Sequence, residues 1–154
     1  MTRDITILLD LLDQAYDHKS WHGTNLRGSI LGLTEPTALW RPGKGRHNIW
    51  EILVHASYWK YAVRRQLTGE KRGSFPLKGS NWFERAGGDD LRSDIRLLAG
   101  EHSRLRAAVA ELDPGRLDRP VPKSRYTHRF LITGVASHDL YHAGQIQLIK
   151  RLQR

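Results

Sequence analysis

Apolar residues recur at three- and four-residue steps in four long stretches of the chain, and between those stretches the pattern lapses. Ile5, Leu8, Leu9, Leu12, Ala15 and Tyr16 share one face of a helix predicted from about residue 2 to 18. Trp21-His22-Gly23 interrupts it, and Leu26, Ile30, Leu31 and Leu33 mark a shorter helical continuation. Thr34-Glu35-Pro36 sets a cap-type residue ahead of a first-turn proline, which predicts a single short turn ending near Trp40. Arg41-Pro42-Gly43-Lys44-Gly45 then breaks regular structure before a second long helix from about Asn48 to Leu67.

Residues 69 to 88 carry no clear period. Unstructured stretches of this length in a compact domain are often functional, and a lid over a site is one reading of this one. Trp82 and Phe83 are suited to pin part of it to the body. Asp89 or Asp90 caps a third helix, in which Leu91, Ile95, Leu98, His102, Leu105, Val109 and Leu112 repeat until Asp113-Pro114-Gly115 stops it. Arg116 to Arg125, with Pro120 and Pro122, reads as an extended connection. The fourth helix runs from about Thr127 to Leu152, with Phe130, Leu131, Val135, His138, His142, Gln145 and Ile149 along one stripe. Four long helices without a strand signal predict an all-α fold. The expectation is an up-and-down type four-helix bundle with a short extra helix after the first and a long loop between the second and third. The size of the chain makes residues 1–154 one domain.

Composition narrows the chemistry. There is no cysteine, so disulfides, thiolate ligands and a cysteine nucleophile are excluded, and any thiol chemistry must use a thiol brought by the substrate. The first ten residues include Asp4 and too short an apolar run for a signal peptide, and no later stretch approaches a membrane-spanning length. The expectation is a cytoplasmic protein with no membrane partner. A formal charge of +9 suits anionic partners, yet Arg64 and Arg65, Lys71 and Arg72, Arg116 and Arg119, and Lys150 and Arg151 are scattered without a basic arm. That distribution is the habit of a solvated surface and argues against nucleic acid. It leaves room for attraction of carboxylate or phosphate groups on a small-molecule substrate.

Two histidines, His138 and His142, stand four residues apart in the fourth helix, so both imidazoles project from one face and can reach one divalent ion. The strongest third ligand is His55, alone among apolar residues in Trp50-Glu51-Ile52-Leu53-Val54-His55-Ala56. Three imidazoles on one ion leave coordination positions for water or substrate, and they suit zinc, nickel, copper and iron alike. Glu51 and Trp59, four residues either side of His55, share its face. Glu51 reads as a general base or ligand-orienting acceptor, or as a first-turn glutamate complementing the helix dipole. Trp59 reads as core or pocket wall, and Gln145 can orient a ligand or a bound water. His102 on its apolar face reads as a buried, hydrogen-bonded residue, and His22 as a solvated loop histidine.

Taken in order, HNIWEILVHASYWKYAVRRQLTGE, NWF and HDLYHAGQIQLIKR resemble the DinB-like superfamily of small helical bundles, as do the early WHG and RPGKGRHNIW segments. The resemblance spans nearly the whole chain, and the C-terminal H-D-x-x-H-x-G-Q-I run is its most specific part. It implies metal ligands at His55, His138 and His142, a divalent ion such as zinc or nickel, with iron as a further option, and a homodimer. Family members include transferases and isomerases that use low-molecular-weight thiols such as bacillithiol or mycothiol. The function it implies is activation of such a thiol. Metal-dependent hydrolysis of a small molecule and a metal- or ligand-binding bundle without turnover are the alternatives.

Overall fold

A computed structural model describes all residues, 1–154, as six α-helices and no β-strand. They are α1 (Arg3–Tyr16), α2 (Leu26–Ser29), α3 (Glu35–Leu39), α4 (Ile49–Thr68), α5 (Leu91–Ala110) and α6 (His128–Leu152), with one 3-10 turn at Pro114–Arg116. Local chemistry explains the boundaries. Asn48 and Glu51 close a capping box at the start of α4, the Asn48 side chain accepting from the Glu51 N–H at 2.8 Å and the Glu51 carboxylate accepting from the Asn48 N–H. Gly69 ends α4 in the left-handed region at φ 78°. Asp90 caps α5 and Thr127 caps α6.

The long helices pack as α4 on α5 and α6, and α1 on α5 and α6, so α1 lies diagonal to α4 and α5 diagonal to α6. Contacts along the seams give the directions. Trp50 reaches Asp94 and Lys60 reaches His102, so α4 and α5 run parallel. His55 meets His138 while Lys60 meets Asp139, and Ile52 lies near Ile149, so α4 and α6 run antiparallel. Asp13 pairs with Arg106 and Tyr16 stacks on His102, so α1 and α5 are also antiparallel. The order is up, down, down, up, which corrects the expectation of a simple up-and-down meander. A parallel α4–α5 pair also accounts for the long loop. A helix of 20 residues spans about 30 Å, and the chain must travel back that far before α5 can begin.

The face of α6 that turns inward also differs from the expected stripe. Its buried row is His128, Ile132, Val135, Ala136, Asp139, His142, Ala143, Ile146 and Ile149. Phe130 falls off it and is 57% exposed, stacked on Tyr126 at 4.8 Å. A fully buried His128 takes the inward position at the helix start, its Nδ1–H donating to the Arg119 carbonyl.

Two apolar clusters fill the interior. One gathers Leu8, Leu12, Leu105, Ile132 and Val135, the other Trp50, Leu53, Leu98, Ile146 and Ile149. Between them, on each helix in turn, comes a polar residue: Lys60 on α4, His102 on α5, Asp139 on α6. Lys60 and Asp139 are completely buried and ion-paired, Lys60 lies 3.3 Å from His102 Nδ1, and His102 stacks on Tyr16 at 3.9 Å. Buried charges survive only when paired and hydrogen-bonded. This layer meets that condition on Lys60, while Asp139 Oδ1 finds no partner.

Candidate metal centre

One level along the α4–α6 seam, His55, His138 and His142 converge. Their positions follow from helix geometry: His138 and His142 stack one turn apart on α6, and the antiparallel α4 presents His55 opposite them. His138 Nε2 lies 3.1 Å from His55 Nε2 and 2.9 Å from His142 Nε2. The far side of each outer ring is anchored. His55 Nδ1–H donates to the Asn81 carbonyl at 2.7 Å, and His142 Nδ1–H donates to Gln145 Oε1 at 2.7 Å.

The proton count then tests whether a cation belongs here. In the neutral rings those two donations place the lone pairs of His55 and His142 at Nε2, both aimed at His138. A proton on His138 Nε2 can satisfy only one of them. A proton on its Nδ1 would be stranded, because that atom is buried without an acceptor. Either arrangement leaves lone pairs facing one another, and a divalent ion resolves the conflict by accepting all three. The two separations to His138 are near the about 3.3 Å edge of a tetrahedron with bonds of 2.0–2.1 Å, and all three ligand nitrogens lie within 4.8 Å of one another. The three histidines therefore fit a metal ion and can hold one.

Electrostatics keeps the rings unprotonated for such a role. Burial pushes His138 down to about 3, with the neighbouring His142, His55 and Lys60 acting the same way. Burial likewise lowers His55 to about 4 despite its bond to the Asn81 carbonyl. His142 is lowered by burial, against the opposing pull of Gln145.

The loop between α4 and α5 supplies the remaining wall. Asn81, at φ 68° in the left-handed region that asparagine tolerates, gives its carbonyl to His55 and its side-chain oxygen to Trp59 Nε1 at 3.0 Å. Trp82 is sandwiched between His55 at 3.8 Å and His47 at 3.6 Å, both rings nearly parallel to it. Trp82 and Phe83 do pin the loop, and Trp59 is a site wall, 37% exposed and edge-on to His55 and His138.

Glu51 does not hydrogen-bond any of the three histidines. Its carboxylate is clamped by both Arg41 nitrogens at 2.5 and 2.9 Å, and accepts from His47 Nδ1–H at 3.1 Å and from the Asn48 N–H. Burial pulls this carboxyl upward, but Arg41, His47 and the cap leave it below its ordinary value. His102 is buried and hydrogen-bonded in the polar layer, outside the convergent set, and His22 is exposed.

Sequence reasoning reached the three histidines, Gln145 and Trp59, and missed His47, Asn81, Lys60 and Asp139. For Lys60 and Asp139 a signal existed: each interrupts an apolar row with opposite charge, Leu53-Ala56-Lys60-Val63-Leu67 against Ile132-Val135-Asp139-Ala143-Ile146. For Asn81 there was none, since its contribution to His55 is a backbone carbonyl.

The sequence profile of the DinB superfamily matches residues 20–146 of the chain, which covers all three histidines, and the protein belongs to that superfamily. No curated protein and no solved structure matches it.

Proposed function

We propose that this DinB superfamily protein is a metal-dependent enzyme that activates a low-molecular-weight thiol for transfer to, or isomerisation of, a small-molecule substrate. The convergence of three Nε2 atoms whose lone pairs no single proton can reconcile carries the reading. His55, His138 and His142 would hold the ion, with zinc or nickel, or iron, as the candidates that imidazole ligands suit. A divalent ion on three neutral imidazoles supplies an undiminished double charge, which favours thiolate over thiol near neutral pH.

The protein's own residues do the rest. The Asn81 carbonyl and Gln145 fix the tautomers of His55 and His142 and so keep both Nε2 lone pairs directed at the centre. A proton leaving the thiol needs an acceptor, and His47 is our candidate for it. Its ring is 46% exposed, it lines a cavity of about 410 Å³ together with His142 and Gln145, and its Nδ1–H is committed to Glu51, which leaves Nε2 to take the proton. In this reading Glu51 serves the base role through His47, as the group that sets its tautomer.

Elemental mass spectrometry of untagged protein tests the proposal, beside a His138→Ala, His142→Ala double variant shown by circular dichroism to be folded. About one equivalent of metal in the parent, and less than a tenth of that in the variant, is expected. A parent that takes up no zinc, nickel or iron on reconstitution would refute the enzyme reading.

A further inference from the structure

Two cavities open onto the histidine cluster from successive stretches of the α4–α6 seam, and they differ in chemistry. The one at His142 carries Arg46 and His47 beside Trp82. The one at His138, about 580 Å³, is walled by Trp59, Val63, Tyr126, Phe130, Leu131 and Val135, with His55 and His138 as its remaining ring-bearing members. Charged residues make up 27% of this chain, yet none lines the second cavity, where Gln66 is the one polar side chain apart from the two histidines and the Tyr126 hydroxyl. We infer that this cavity is the substrate pocket for an uncharged aromatic or aliphatic group, held with its reactive end at His138. The inference rests on the metal-dependent reading of the cluster and names the class of substrate that would reach it.

Three observations carry it. The volume lies within the about 300–1,000 Å³ that small-molecule pockets occupy. An ionic group placed there would lose its hydration without gaining a counter-charge, whereas an apolar one gains contact with aromatic surface. The walls are also held open. Trp59 is fixed by Asn81, Phe130 is stacked on Tyr126, and Gly134 on α6 has no atom within 4 Å of where a Cβ would stand. Phe130 thus stays 57% exposed with an empty space beside it. Apolar surface left open next to a reactive centre marks a place for a ligand. Because two of the three converging histidines line the cavity, its occupant must be small enough to approach them, which a flat second protein surface is not.

Gly134 offers a direct test. Its backbone is helical without positive φ and the space before it is open, so Gly134→Leu fills the cavity without a clash in the core. The probe is N-phenyl-1-naphthylamine, an uncharged fluorophore, titrated into parent, Gly134→Leu, Phe130→Ala and Arg46→Ala proteins. Saturable one-site binding in the parent, at least tenfold weaker in Gly134→Leu and weakened in Phe130→Ala but unchanged in Arg46→Ala, is expected, with displacement by toluene and not by benzoate. Absence of saturable binding, equal binding by parent and Gly134→Leu, or displacement by benzoate as effective as by toluene would overturn it. So would a change in sedimenting mass in Gly134→Leu, which would assign the face to a second copy of the chain. Metal content measured on the same samples separates this idea from the one beneath it. A parent that binds probe at Gly134 but never metal refutes the metal-dependent reading and upholds the apolar pocket.

Discussion

A proton too few defines the cluster at the level of single residues. His55 and His142 each spend their one N–H on an oxygen outside the triad, and His138 cannot serve both of the lone pairs that then point at it. Removing one anchor should therefore loosen the site without dismantling it. Gln145→Leu frees the His142 ring to rotate and to change tautomer, and a loss of 10–100-fold in zinc affinity is expected, the usual effect of deleting such an orienting partner. Isothermal titration of the folded variant against the parent measures it, and unchanged affinity would show that Gln145 orients nothing. Gln145 was readable because its spacing from His142 is helical. Asn81 was not, since any residue has a carbonyl and only the course of the loop brings this one to His55.

Among the elements, α4 and α6 bear the greatest electrostatic risk, because Lys60 and Asp139 face each other with no exposure to solvent. Removing one partner strands the other. Lys60→Met should destabilise the fold by roughly 3 kcal/mol or more, whereas Lys60→Met with Asp139→Leu should recover much of that loss, because replacing both members of a buried pair by apolar groups is often close to neutral. Urea denaturation of the three proteins decides the matter. A double variant as unstable as the single one would mean that the pair contributes net stability in its own right. Each helix could be read from its apolar period and its cap. Their order around the bundle could not, since an apolar face does not say which neighbour covers it.

For the whole molecule, the polar layer makes stability depend on pH. Burial holds His102 near 3, with the Lys60 charge adding to the effect. The folded state therefore keeps His102 neutral while the unfolded chain takes up a proton near 6.5. Stability contributed in this way is complete above about pH 6.5 and is lost as pH falls from there toward 3, at up to about 1.4 kcal/mol per pH unit. Urea midpoints of the chelator-treated protein between pH 7.5 and 5 should fall, with His55, His138 and His142 contributing in the same window, and His102→Gln should make the decline shallower without abolishing it. A variant with the parent's pH dependence would place the titrating group elsewhere.

The order of residues along the chain determined that the protein is all-helical, where its long helices lie and which histidines share a face, because capping, apolar period and i, i+4 spacing are local properties. Membership in the DinB superfamily was legible for the same reason, being written in contiguous runs such as HDLYHAGQIQLIKR. Only the tertiary structure decided that α4 and α5 run parallel, that a loop carbonyl fixes His55, that Glu51 belongs to Arg41 and His47, and that an uncharged cavity opens beside His138. Each of these depends on contacts between residues distant in sequence, whose partners are chosen by packing and not by spacing.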